Sequence, residues 1–318
     1  MISLTRLRAI HPAPPAKAVG RALVVVAAAL PIVVAAALAS GTTGAVWSVL
    51  GLLAGLPARA VLNTARSAVV TVAIAGIAAA ATAARGPALA AGLIVAVAAA
   101  TAGLADRWSA GVATMAPVAA AVAASWPPGL TWVVAGGWLL AGGLYGIAAV
   151  ALLKVHLHRR PVDARRAAVH AAALAVLCGT AAGLAAAFRL PHGYWIVLAL
   201  VATLRPVVQE SGRKAVNRVT GTLLGVLIPI PLIYFLPQAA LAPIVALSGL
   251  AFVSYLLAGE YIRQSAFMTL TIIILASGGM RANAVAVGEI RLAWTLVGTA
   301  AAAATAAVLW HVERDWPL

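Results

Sequence analysis

Acidic residues are almost missing from this chain, and charge of any kind is scarce. Seven Asp and Glu stand against 22 Lys and Arg in 318 residues, and charged residues make up 9% of the total. A soluble fold needs far more polar surface than that. Cysteine occurs once, as Cys178 within an apolar run, which excludes a disulfide and leaves a small hydrophobe. No G-x-x-x-x-G-K-[ST] run is present, so a P-loop nucleotide site is excluded. His156 and His158 lie among cations with no Cys or clustered acids beside them, poor company for a metal. No nucleophile has a base and an orienting group at a recognisable spacing. The sequence therefore predicts neither an enzyme nor a resident metal or cofactor.

What the chain does have is hydrocarbon. Hydrophobic residues account for 64% of it and the mean hydropathy is +1.04. No soluble interior could hide so much apolar surface, so an integral membrane protein is expected. The runs are too long and too poor in alternation for barrel strands. Each must close its own backbone hydrogen bonds as a helix. Twelve stretches are predicted, at 19–40, 44–56, 67–84, 87–105, 109–125, 130–153, 167–188, 193–204, 219–236, 239–258, 264–279 and 290–310. Two of them, 44–56 and 193–204, are short. At about 1.5 Å per residue they reach about 20 Å, against a bilayer core of about 30 Å.

Lys and Arg are distributed unevenly about these stretches. With the amino terminus placed in the cytoplasm, Arg85, Arg189, Arg281 and Arg291 fall outside and the other eighteen fall inside. That bias predicts two cytoplasmic termini. The net charge of +15 is then largely topological, and the scattered cations offer no surface suited to nucleic acid. Arg6, Arg8 and Lys17 before a run ending Ala37-Leu38-Ala39 have the outline of a signal peptide. The run is long for one, and it is read as a retained span.

Landmarks recur along the sequence. Trp47 and Trp195 are 148 residues apart, while Arg107-Trp108-Ser109 and Arg263-Gln264-Ser265 are 156 apart, as are Trp138 and Trp294. The recurrence predicts an all-α polytopic protein of about 12 transmembrane helices in two parallel six-helix repeats. Its parts are a tail (1–18), a degenerate first repeat (19–153), a basic linker (154–166), a second repeat (167–312) and a short tail (313–318). Trp126, Trp132, Trp310 and Trp316 read as interface anchors, and Trp126-Pro127-Pro128-Gly129 as an outer turn.

Each short stretch is predicted to end at a proline, Pro57 or Pro206, followed by a basic amphipathic segment: Arg59 to Arg66, or Val207 to Arg218. Short apolar segments at matching repeat positions point to a permeation site. The candidates for a positively charged pathway are therefore Arg205, Arg213, Lys214, Arg218, Arg59 and Arg66, weighed against ordinary headgroup anchoring. Asp106 beside Arg107 and Glu260 near Arg263 read as local ion pairs, and His170 and His192 as the titratable candidates. The G-x-x-x-G spacings, Gly221 to Gly225 among them, read as sites of close helix packing.

Pro191-His192-Gly193-Tyr194-Trp195, Arg205-Pro206, Arg213, Arg218, Gly221-Thr222 and Gly225 together resemble the core signature of the fusaric acid resistance and aromatic acid exporter (FUSC) family. Glu260-Tyr261, Arg263, Ser265-Ala266-Phe267, Arg291, Trp294-Thr295 and Gly298-Thr299 resemble its closing elements. The first half lacks the G-T-x-x-G block, since Arg66 is followed by Ser67-Ala68-Val69-Val70. The resemblance implies an inner-membrane exporter of organic anions such as aromatic carboxylates, with Tyr194, Trp195 and Arg263 added to the pathway and Gly221, Thr222 and Gly225 serving helix packing. The plant aluminium-activated malate channels are similar in building a basic pore from two six-helix bundles. The implied partners are a small organic anion and the lipid bilayer. Family members often add an adaptor protein or a soluble domain, and a homo-oligomer is the remaining arrangement. The alternative reading is a non-transporting membrane scaffold or envelope-associated assembly protein.

Overall fold

A computed structural model describes residues 14–84, 87–126, 131–155, 157–277 and 280–313. Arg6, Arg8, Arg85, the turn at Pro127 to Gly129, His156, Arg314 and Trp316 lie outside the described residues, as does the side chain of Arg281. The described residues are helical, with no strand among them. The elements are α1 (Ala16–Val61), α2 (Thr64–Ala83), α3 (Ala88–Ala105), α4 (Met115–Ser125), α5 (Trp132–Leu153), α6 (Ala164–Ala187), α7 (Tyr194–Thr203), α8 (Val208–Leu227), α9 (Pro229–Phe235), α10 (Gln238–Ala258), α11 (Tyr261–Ala276) and α12 (Arg281–Glu313).

Eight segments, α8 and α9 counting as one, are long and apolar enough to cross a membrane; α4, α7 and α11 are shorter apolar helices. The chain is thus a multi-pass, all-helical membrane protein. Its helices do not follow the twelve predicted stretches one for one. The first two stretches share α1, which breaks at Ser40 and Gly41 (φ 62°), a backbone geometry that glycine adopts without a Cβ penalty. Pro57 was expected to end the second stretch, yet α1 continues to Val61. The ring of Pro57 is exposed, and a proline removes only the single bond its N–H would have made to the preceding turn. The amphipathic segment expected from Arg59 to Arg66 is therefore split. Arg59 closes α1, and Asn63 starts α2 by accepting a hydrogen bond from the Arg66 amide at 2.9 Å.

Contacts divide the chain into two compact units, one within Met1–Ala27 and Thr220–Glu289, the other within Ala28–Val219 and Ile290–Leu318. In the larger unit, small residues let backbones touch. A Cβ on Gly51 would strike the carbonyl of Leu139 in α5, and one on Gly142 the carbonyl of Ser48 in α1. α3 meets α6 at Gly92 and Gly179, and α12 meets α7 at Gly298, where a Cβ would sit 2.8 Å from the Ile196 carbonyl. With no hydrophobic gain between helices in lipid, such contact is what holds them. A buried core of Trp47, Ile74, Leu139, Val197 and Leu200 fills the remaining space. In the smaller unit, α8 lies on α11 with Gly221 against Ile262 and Ser265, and Gly225 against Ala266 and Thr269. Ser248 of α10 bonds Thr271 of α11 at 2.7 Å.

Candidate functional site

The basic end of the larger unit is tied together by the linker. Leu157 donates to the Ala60 carbonyl (2.7 Å), Arg159 Nε to the Trp108 carbonyl (2.6 Å) and the Arg160 amide to Ser109 Oγ (3.1 Å). Val162 donates to the Asp106 carbonyl at 3.0 Å, and Asp163 then caps α6 through the amides of Arg165 and Arg166. The segment between α7 and α8 joins this end. Pro206 disfavours a helical Arg205, and the Arg205 amide donates to the buried Ser211 hydroxyl at 3.0 Å.

Beyond that break, α8 runs without interruption from its basic stretch into apolar sequence. The 3.6-residue period sets Lys214 and Arg218 on one face and turns Arg213 about 100° away. Arg213 is accordingly exposed and Lys214 half-buried, while Arg218 is 3% exposed. Two of the Arg218 guanidinium nitrogens, Nε and Nη2, have no hydrogen-bond partner among the described residues. Lys214 feels Arg205, Arg213 and Arg160 as like charges and Glu210 as the opposing one. Positive charge therefore outweighs negative around this helix start.

Arg205 is half-buried beside a pocket lined by Ala102, Asp106, Gly111, Thr114, His170, Leu174, Val201, Leu204 and Pro206. The pocket has room for about one water molecule. Asp106 does not pair with Arg107, which is exposed. It is 2% exposed and contacts His170 Nδ1 at 2.7 Å. Sequence neighbours leave a helix about 100° apart, so the C-terminal turn of α3 aims Asp106 inward and Arg107 outward. No sequence signal joined two residues 64 positions apart.

Of the first-half candidates, Arg59 is half-buried and donates to the Leu62 carbonyl at 3.2 Å, and Arg66 is exposed with its guanidinium 5.9 Å from the centre of the Trp108 ring. In the smaller unit, Arg263 lies 5.5 Å from the centre of Tyr255.

Tyr194 and Trp195 belong to a tight turn at the other end of α7. Arg189 and His192 both adopt positive φ, and a Cβ on Gly193 would meet the Ala185 methyl at 2.5 Å. Trp195 is 1% exposed; the His192 ring stacks on it at 4.5 Å, and Tyr194 is edge-on to it at 5.8 Å. Arg291, counted among the outer-side charges at the edge of the predicted stretch 290–310, is fully buried within α12, with its guanidinium carbon 4.9 Å from the Trp195 ring centre. Three residues on, Trp294 Nε1 donates to the Pro191 carbonyl at 2.8 Å. The helix begins at Arg281, nine residues before the predicted 290, so Arg291 lies well inside it and not at its first turn. His192 is held below the usual imidazole range, first by burial and then by the charge of Arg291. Trp126, read as an interface anchor, packs on Trp47 with ring centres 5.7 Å apart, whereas Trp132 and Trp310 are exposed.

An all-helical membrane protein with a basic helix start beside a buried acid–imidazole pair is the class these observations define. Residues 180–305 match the family model described as fusaric acid resistance protein-like, a match over about two fifths of the chain. The chain is also 28% identical over 126 residues to the inner membrane protein YccS of Escherichia coli (strain K12), a match covering 39% of this chain and 17% of that protein. No solved structure matches it.

Proposed function

We infer that the protein passes small organic anions, aromatic carboxylates among them, across a bacterial inner membrane along a basic path that includes Arg205, Lys214 and Arg218. The burial of Arg218, with two guanidinium nitrogens left unpartnered among the described residues, carries this reading. A buried cation of that kind is costly unless an anion or water completes it. Arginine also suits a carboxylate, since its planar fork meets two oxygens at once. Excess positive charge at Lys214 and Arg205 raises the local concentration of anions. Exposed Arg213 and Arg66 act at the approach to this path, and Tyr194 and Trp195 belong to its opposite end.

The path runs within an architecture of two six-helix repeats with cytoplasmic termini. Supporting the repeat, Gly142 meets the carbonyl after Trp47 and Gly298 the carbonyl after Trp195. Because the match to YccS covers so little of that protein, an adaptor or additional domain as partner belongs to the same proposal.

The test is flux of a carboxylate panel into proteoliposomes. Arg218→Gln is expected to lower flux at least tenfold, a loss of about 1.4 kcal/mol in barrier terms, while insertion and thermal midpoint hold. Unchanged flux in that variant, or none in the parent protein, would favour the scaffold reading.

A further inference from the structure

Asp106 and His170 form a buried acid–imidazole pair that the path described above does not use. Asp106 Oδ1 accepts the Gly111 amide at 2.6 Å and Oδ2 contacts His170 Nδ1 at 2.7 Å. When Asp106 is ionised and the ring neutral, the carboxylate can only accept, so Nδ1 carries the proton and Nε2 keeps its lone pair. That Nε2 is buried and has no partner among the described residues; neither has the buried Nε of Arg205. Both residues line the same water-sized pocket.

We propose that the Asp106–His170 pair is a proton-binding site which, when loaded, completes a seat for one carboxylate oxygen of the transported anion between His170 Nε2 and Arg205. The proposal rests on the transport reading for its anion but not for its proton. With the ring neutral, Asp106 and Arg205 balance and the Nε2 lone pair repels an anionic oxygen. A proton taken from water at Nε2 gives the pocket a net charge of +1 and turns the repelling atom into a donor. No bond other than N–H forms or breaks.

The surroundings contain little else that titrates. α3 contributes Asp106, and the exposed Arg107 follows it. The α7–α8 break contributes Arg205, and Lys214 of α8 and Arg160 of the linker add charge around Arg205. α4 has no ionisable residue. Tyr194, at the start of α7, is ten residues from Leu204, about 15 Å along that helix. On α6 itself, Arg166 is held by Asp163 at 3.7 Å in the first turn.

Carboxylate flux measured at equal pH on both sides is expected to rise about tenfold as pH falls through the range in which imidazoles titrate. His170→Gln should flatten that profile. Asp106→Asn should flatten it differently. The introduced amide donates to Nδ1 while its oxygen keeps the Gly111 bond, so the neutral ring carries its proton on Nε2 and flux at high pH rises. A merely structural aspartate would not give that rise.

In parallel, 15N-histidine NMR of the full chain in lipid should show the His170 Nε2 signal titrating while Nδ1 stays protonated. A pH-independent flux in the parent protein, or an unaltered profile in both variants, overturns the gating of the anion. Absent flux with a titrating Nε2 refutes the transport reading and leaves the proton site standing, and an Nε2 that does not titrate refutes the proton site itself.

Discussion

Two junctions of the larger unit have the same parts and different contents. In the first half, a helix start after Ser40–Gly41 leads to buried Trp47; in the second, the turn from Arg189 to Gly193 leads to buried Trp195. Each turn is held by an indole from the last helix of its half. Trp138 Nε1 donates to Ser40 Oγ at 2.8 Å, and Trp294 Nε1 to the Pro191 carbonyl at 2.8 Å. Each has a glycine of that last helix, Gly142 or Gly298, seated on the carbonyl of the residue after the tryptophan. The contents then diverge. Trp47 packs on Trp126, whereas Trp195 packs on His192 and Arg291. At the 156-residue spacing, the position of Arg291 is taken in the first half by Ala135, also fully buried. The frame is set by glycine, indole and backbone, and of the two junctions the second places a cation inside it.

The same contrast holds at the basic ends. Arg66 is exposed over Trp108 near the start of α2, while Arg218 is buried well inside α8. The residues that follow differ as well. Ser67-Ala68-Val69-Val70 offers no counterpart to the Gly221 and Gly225 that bring α8 against α11.

If the frame is shared, replacing its glycines should damage both junctions, and this is the largest effect expected. Gly142→Ala puts a methyl onto the Ser48 carbonyl from a rigid helix, and Gly298→Ala puts one 2.8 Å from the Ile196 carbonyl. Overpacking of this kind costs about 1–3 kcal/mol, with Gly142 at the upper end because its clearance is smaller. Unfolding in mild detergent would read both. A loss at only one of the two would break the correspondence. Next in size is Arg291→Ala, which removes a desolvated cation–π contact and opens a cavity, at a cost of about 2 kcal/mol because relief of the buried charge offsets part of the loss. No equivalent loss exists in the first half, where alanine already stands.

How much of this could be read from the sequence depends on the kind of residue. Composition and run length gave the membrane class and most helix centres, because burial in lipid demands apolar length. Trp47, Trp138, Trp195 and Trp294 stood out as rare side chains recurring in the same order, and the structure puts them at the two junctions. The path of the chain around Pro57 was not legible. A proline marks a lost hydrogen bond but not whether its surroundings tolerate the loss. The burial of Arg291 was hidden for a related reason, since hydropathy ends a run at a charge whether it lies at a helix edge or against an indole. The Asp106–His170 contact depends on two helices meeting, which no local pattern encodes.

The smallest expected effect separates the junctions by pH. The His192 ring stacks on Trp195, and both burial and the charge of Arg291 hold it below the usual imidazole range. The folded protein thus keeps His192 neutral where the unfolded chain begins to protonate it. Its contribution to stability is complete above the ordinary imidazole range and is lost as pH falls through the depressed value. The ring is only half-buried, so water screens much of the effect. A modest fall in thermal midpoint between pH 7.5 and 5.5 is expected, reduced in His192→Gln. In Arg291→Ala the fall should also shrink, but not vanish, since burial, the larger cause, remains. The Ser40–Gly41 junction has no titratable group in its turn and should not respond. An undiminished pH dependence in His192→Gln would assign the fall to another group, with His170 the first to examine.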